Sequence, residues 1–354
     1  MKIGNFDLTK STFIIAELSC NHLGSFDLAK KTIEEIAKTG ANAVKLQTEA
    51  PINITLESDH DEFMIKGGAW NGQSLYELYK KTYTPFEWHL EIKELVEKLG
   101  MIFFSTPGGL GNGEIINTVD FLENLNVPCY KISSFELVDI PLIRYVAKKG
   151  KPIIMSTGVA NFEDIKLAVE TCKEEDNDQI ILLKCTSAYP TALEDVNLKQ
   201  MKKISDDFNC LVGISDHSLF NEVAISSVAM GGCAIEKHVI LDRKLGGPDS
   251  GFSMEPHEFK AMVESVRNVE KLLGRSDYKL QEIQKESRNF MRSLYVVKDI
   301  APGEIITTEN VRSVRPGFGI HPKYLDIKNP DCILGKKFAN HKKKNTSLQF
   351  SDIK

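Results

Sequence analysis

The chain has no cysteine pair at a metal-binding or redox spacing. Its seven cysteines, Cys20, Cys129, Cys172, Cys185, Cys210, Cys233 and Cys332, are odd in number and never fall as Cys-x-x-Cys. That excludes a zinc ribbon and a closed disulfide frame, and several sit in apolar runs where a thiol packs as a small hydrophobe. Reduced thiols in a cytoplasmic setting are expected. Long apolar runs are also missing: none approaches the ~20 residues of a bilayer-spanning helix, and Met1–Asp7 lacks the apolar stretch of a signal peptide. No membrane association is expected. Nor does one sign of charge dominate. A formal net charge of −5 gives no electrostatic case for nucleic acid, and the single basic run, Lys342-Lys343-Lys344, reads as a solvated turn. Finally, no Gly-x-Gly-x-x-Gly follows the first apolar run, and no Gly-Lys-Ser/Thr closes a glycine-rich loop. No nucleotide cofactor is expected.

What is present is a rhythm. Short apolar runs at 12–18, 42–48, 101–107, 129–134, 152–157, 179–187, 211–216 and 233–239 alternate with segments of helical spacing, among them 27–38, 85–99, 140–149, 162–171 and 256–273. Eight strand–helix alternations over roughly 270 residues predict an α/β chain folded as a closed (β/α)8 TIM barrel, residues 1–274. After Gly274 the rhythm stops. Polar residues 275–292 read as a linker, and residues 293–354, with β-rich Ser293–Val297 and turns at Pro302-Gly303 and Arg315-Pro316-Gly317, read as a small second domain.

The polar residues gather where each run ends. Phe13-Ile14-Ile15-Ala16 meets Glu17; the second run carries Lys45 and Gln47; the third ends Ser105-Thr106; the fourth holds Lys131, Ser133 and Ser134 before Glu136. The fifth ends Ser156-Thr157, the sixth Lys184-Cys185-Thr186-Ser187 with Tyr189 beyond, the seventh Ser215-Asp216-His217, and the eighth Glu236-Lys237-His238. In a (β/α)8 barrel the C-terminal strand ends form the active-site face. Period-two alternation puts Lys45 with Gln47, and Glu236 with His238, on one face, and turns Asp216 and Lys237 the other way. Single serines at such positions often fill barrel layers as satisfied hydrogen-bonders, but charges in that number are rare unless paired or functional.

His217 and His238, ending adjacent strands, form a candidate pair for a divalent first-row metal with open positions; structural histidines are the alternative. Lys45, Lys131, Ser156 and Ser215 make the donor set that a phosphate-carboxylate substrate requires. Two other readings stay open: a Schiff-base aldolase using Lys45, Lys131 or Lys184, and a sugar-binding protein without catalysis.

Ala16-Glu17-Leu18-Ser19-Cys20-Asn21-His22-Leu23-Gly24, Val44–Thr48, Tyr130–Glu136, Pro152–Gly158, Ser215–Ser218 and Glu236–His238 resemble, in order along nearly the whole chain, the motifs of the sialic acid synthase family. Trp70–Tyr79, Tyr83–His89 and Lys184–Pro190 are similar to one branch of it. The resemblance implies condensation of phosphoenolpyruvate with an N-acetylated amino sugar and release of phosphate. The branch's sugar is 2,4-diacetamido-2,4,6-trideoxy-L-altrose; other branches take N-acetylmannosamine or the legionaminate precursor. It implies a divalent metal (Mn2+, Mg2+ or Co2+) on His217 and His238. Phosphoenolpyruvate contacts fall on Lys45, Thr106, Lys131, Ser134, Ser156, Ser187 and Ser215. Catalytic roles fall on Glu17, Glu136 and Lys131, and sugar contacts on Gln47, Tyr189, Asp249 and Arg315. The tail resembles the family's antifreeze-like (SAF) domain, which implies a homodimer with swapped C-terminal domains and Arg315 serving the neighbouring subunit's site. The glycine-rich stretch Pro107–Glu114 departs from the family pattern and is expected to be a loop variation, against a lid or a phosphate cradle.

Overall fold

The computed structural model describes residues 1–67 and 70–354. The chain divides into two compact units, Met1–Gly274 and Arg275–Lys354. The first is a closed barrel of eight parallel strands in chain order: β1 Phe13–Glu17, β2 Ala43–Thr48, β3 Ile102–Pro107, β4 Tyr130–Ile132, β5 Ile153–Ser156, β6 Ile180–Cys185, β7 Leu211–Asp216 and β8 Ala234–His238, with β8 pairing back onto β1. A parallel strand in such a barrel is covered on both faces, which explains the near-continuous apolar runs. All five residues of β1 are buried, as are all five of β8.

Helices fall where helical spacing predicts them, and local chemistry sets their starts. Ser25 accepts from the Leu28 amide ahead of Phe26–Ala37. Asp139 does the same for Leu142 at Ile140–Ala147, and Asn161 for Glu163 and Asp164 at Phe162–Glu174. A capping side chain satisfies amides that the first turn leaves unpaired, worth about 1 kcal/mol each. The helix Lys199–Phe208 stops at Asn209, which adopts a left-handed φ of 50°.

The glycine-rich stretch after β3 is a packed loop. A Cβ on Gly108 would stand 2.4 Å from the Glu49 Cβ, so glycine is required there by close approach. Gly109 and the Thr118 hydroxyl exchange hydrogen bonds at 3.0 and 2.8 Å. Residues 107–114 are not among those lining the cavity at the barrel's C-terminal mouth, so that cavity gives the phosphate-cradle reading no support.

The second unit holds its own core of Leu294, Val296, Ile300, Ile306, Val311, Ile320, Ile333, Phe338 and Leu348. Its antiparallel strands, β9 Ser293–Val296 and β10 Val311–Val314, pair in register Ser293 to Val314. The segment expected to be a plain linker is not featureless. It contains a six-residue helix, Glu282–Ser287, started by a capping box between Gln281 and Gln284, and it is exposed throughout. Its polar composition hides that helix, because Ile283 is its single apolar residue and no apolar stripe repeats at helical spacing.

Outside the barrel wall, alternation has turned Lys237 and Asp216 toward the helix layer. Lys237 Nζ lies 2.6 Å from Asp216 Oδ2 and donates to the Ser218 carbonyl at 2.6 Å, with the side chains 0% and 2% exposed. Removing one partner of such a pair leaves an uncompensated buried charge. Lys237→Met is therefore expected to lower unfolding free energy by about 3–5 kcal/mol, measured by urea denaturation; a loss below ~1 kcal/mol would contradict the pair's structural role.

Candidate active site

Strand register delivers the polar residues in tiers. β8 and β1 align His238 with Glu17, β1 and β2 align Glu17 with Lys45, and β2 and β3 align Gln47 with Thr106. On the opposite arc Cys185 aligns with Ser215 and Ser215 with Glu236. These residues line one cavity at the C-terminal mouth, joined by Lys131, Ser134, Glu136, Ser156, Tyr189, His217 and Asp249.

The floor is a charge cluster. Lys45 Nζ lies 2.7 Å from Glu17 Oε2 and donates to the Thr106 hydroxyl at 3.1 Å. Lys131 Nζ sits 4.0 Å from Glu236 Oε1, and the Ser215 hydroxyl donates to that oxygen at 3.3 Å. Glu236 is held below the usual carboxylate range: burial opposes this, and Lys131 with Lys45 outweighs it. Burial pushes Glu17 up, with Lys45 pulling the other way. Burial likewise brings Lys131 below the ordinary lysine value. Ser156 Oγ, Glu236 Oε2 and Glu17 Oε1 are buried without a protein hydrogen bond. Orphaned polar atoms facing a cavity are the signature of a site completed by something that binds there.

The two imidazoles stand with ring centroids 5.2 Å apart. His217 Nδ1 faces the Thr186 carbonyl at 3.2 Å and His238 Nδ1 faces Asp249 Oδ2 at 3.3 Å, which leaves Nε2 of each ring for a ligand. Among the described residues no group of three or more His, Cys, Asp or Glu side chains is drawn together to hold a metal. A divalent ion placed here would have the two imidazoles as its protein ligands and water or substrate at its other positions. By contrast, His22 and His89 are fully buried and engage Thr84 and Thr48; burial lowers both to a pKa of about 4, marking them as structural.

The upper wall is aromatic. Tyr189 packs against Trp70 at 5.8 Å and Phe252 at 5.1 Å. The Ser19 hydroxyl donates to Asp249 Oδ2 at 2.6 Å and lies 3.3 Å from Gln47 Oε1, between two expected sugar contacts. Glu136 accepts from the Ser133 hydroxyl, and burial raises its pKa.

Two expected residues are not among those lining the cavity. The Ser187 hydroxyl stands 3.9 Å from Cys185 Sγ, beside Gly158. The Lys184 ammonium, a Schiff-base candidate, meets the Thr186 hydroxyl, and the residue does not line the cavity. Arg315 belongs to the second unit, where it is exposed just after β10. Lining residues passed over at the level of sequence include Ser19, Glu49, Cys185 and Phe252. Glu49 had a legible signal, since it continues the i, i+2, i+4 series of Lys45 and Gln47.

The NeuB family model matches residues 32–278 and the SAF domain model residues 291–354. The chain belongs to the NeuB family. It is 45% identical over 354 residues, the full length of both chains, to the pseudaminic acid synthase of Campylobacter jejuni. To the Helicobacter pylori protein of that name it is 42% identical over 341 residues, covering 96% of this chain and 97% of the relative. Among solved structures it is similar to the N-acetylneuraminic acid (sialic acid) synthetase of Leptospira borgpetersenii in complex with citrate, with TM-score 0.71, 29% identity, and 81% and 94% of the two chains covered.

Gly158 tests how tightly the floor is built. A Cβ there would stand 2.2 Å from Ser187 Oγ and 2.8 Å from Ser134 Oγ, whereas one on Gly251 meets nothing within 4 Å. Gly158→Ala is expected to weaken phosphate binding about tenfold or more, ~1.4 kcal/mol, by calorimetry. Gly251→Ala should leave it unchanged, and equal affinities in the two variants would contradict this packing.

Proposed function

We propose that the protein is a pseudaminic acid synthase, joining phosphoenolpyruvate to 2,4-diacetamido-2,4,6-trideoxy-L-altrose with release of phosphate. The observation that carries this reading is the cavity's division. A cationic, hydroxyl-bearing floor beside two imidazoles suits an anionic phosphate-carboxylate, and an aromatic wall above suits a deoxygenated, acetylated sugar. The full-length similarity to proteins of that name supports the choice of sugar.

In this reading Lys45 and Lys131 bind the phosphate and carboxylate, with hydroxyls from Thr106, Ser134, Ser156 and Ser215 and, after a small shift, Ser187. A divalent ion on His217 and His238 would polarise the sugar's aldehyde oxygen. The enol carbon of phosphoenolpyruvate forms the new carbon–carbon bond to the aldehyde carbon. Lys45 and Lys131 balance the phosphate's charge as C2 becomes oxocarbenium-like. Water adds at C2, the bond from C2 to the phosphate oxygen breaks and phosphate leaves with its electron pair, and the water's two protons pass to the former aldehyde oxygen and to the phosphate. Glu17, whose Oε1 lacks a protein partner, accepts a hydrogen bond from that water, and Glu136 holds a sugar hydroxyl. Gln47, Tyr189 and Asp249 hold the rest of the sugar.

The test is phosphate release with this sugar, N-acetylmannosamine and the legionaminate precursor in parallel. Fastest turnover is expected with the diacetamido-L-altrose, and faster turnover of N-acetylmannosamine would overturn the assignment. His217→Ala and His238→Ala should each abolish chelator-sensitive turnover; full activity in either would remove the metal assignment. Borohydride trapping of the protein with a carbonyl substrate would favour an aldolase instead.

We further propose a homodimer in which Arg315 serves the neighbouring subunit's sugar. The exposed connector 275–292 supports this by its reach, since its 18 residues, six of them helical, span up to about 50 Å. Mixing inactive His238→Ala and Arg315→Ala proteins under subunit exchange should restore part of the activity, because one site of each mixed dimer then holds both groups. No recovery with the mixed dimer confirmed would exclude action in trans.

A further inference from the structure

Glu49 has no place in the chemistry above, yet it is built into the cavity with care. It follows β2 directly and continues the inward series Lys45, Gln47, Glu49. At about 3.3 Å per residue, four residues carry it about 13 Å along the chain from Lys45, toward the mouth, yet within electrostatic reach of Lys45 and Glu17. It is 9% exposed, and its carboxyl makes no hydrogen bond to a described residue, its oxygens staying accessible instead of sealed in. Gly108 closes in behind it, with space for no side chain at that position. The carboxyl is thus held against the cavity near Tyr79 and Glu136 with its polar end unspent.

Its occupant can be narrowed by charge. A carboxyl beside other carboxyls, Glu17 and Glu136, does not bind a phosphate or carboxylate, which the lysines take. It suits a neutral group at the far end of the sugar from the reacting aldehyde. Burial, with the Glu136 carboxylate nearby, pushes Glu49 up to a pKa of about 8, so near neutral pH most of it carries a proton. A neutral carboxyl both donates and accepts, as an acetamido group does through its N–H and C=O. A hydroxyl at the same carbon is shorter and offers no carbonyl.

We propose that Glu49 is a specificity-determining residue that binds the C4 acetamido group of the sugar, pairing its carboxyl with the amide. This rests on the reading of the substrate as a diacetamido sugar. An unpaired buried polar group penalises the wrong ligand far more than a missing apolar contact does.

The experiment compares two sugars differing only at C4: 2,4-diacetamido-2,4,6-trideoxy-L-altrose and its analogue with a hydroxyl in place of the C4 acetamido group. The readout is kcat/KM for each sugar, with KM for phosphoenolpyruvate alongside, in wild type, Glu49→Gln and Glu49→Ala. Wild type should prefer the diacetamido sugar. Glu49→Ala should reduce that preference about tenfold or more, with KM for phosphoenolpyruvate changed less than about threefold. Glu49→Gln, which still donates and accepts, should keep most of the preference. If wild type shows the preference and Glu49→Ala preserves it, or loses both sugars equally, the role of Glu49 is overturned while the substrate assignment stands. If wild type itself favours the hydroxyl analogue, the substrate assignment falls and the proposal with it.

Discussion

Everything in the barrel mouth depends on keeping four charges dry. Glu17, Lys45, Lys131 and Glu236 are each 5% exposed or less. At an effective dielectric of ~20, a contact of 2.7 Å such as Lys45–Glu17 gains roughly 6 kcal/mol of Coulomb energy. Desolvation costs several kcal/mol per ion and offsets most of that. The cluster is therefore a poor way to stabilise a fold. What it provides is a set of ammonium groups already stripped of water and fixed in place, so that an incoming anion meets donors needing little reorganisation. The buried atoms left without partners, Ser156 Oγ and Glu236 Oε2 among them, are the cost of that readiness.

Parallel register makes the cluster possible. Because each strand joins its neighbour with the same polarity, the C-terminal ends of all eight arrive at one mouth, and residues far apart in sequence share a tier. Glu17, Lys45 and His238 come from β1, β2 and β8 yet stand side by side. The same alternation sends Asp216 and Lys237 outward into a separate ion pair. A one-residue slip in either strand would exchange the two roles.

This geometry explains what the sequence made legible. Strand number, order and inward positions follow from period-two alternation and from polar residues at strand ends, so Lys45, Lys131, Ser156, Ser215, Glu236 and both histidines could be placed in the mouth by pattern alone. Residues beyond a strand's last paired position are harder. Glu49 and Phe252 lie where pairing has ceased, so direction is set by loop packing. For Glu49 that packing depends on Gly108, fifty-nine positions away in the chain. Ser187, two residues past Cys185, keeps the parity of a lining residue and is not among the residues lining the cavity, although its hydroxyl stands beside Gly158. Tyr189, further along, lines the cavity.

The division between floor and upper wall separates two problems that a condensing enzyme must solve. Chemistry needs charge, and charge is indifferent to the identity of a neutral sugar. Aromatic surface such as Trp70, Tyr189 and Phe252 recognises shape, but one methyl group in an apolar pocket discriminates by only ~1–3 kcal/mol. Sharper selection requires polar groups that are left unpaired by the wrong ligand. Gln47, Glu49 and Asp249 line this cavity on strand ends and the segments after them, and in the proposed reading they are the polar groups that meet the sugar. Lys45 is joined to Gln47 and Glu49 by one stretch of backbone, so a single strand end carries both functions at different heights. Changes at its outermost position can alter which sugar is accepted while the tier that handles the anion keeps its register with β1 and β3.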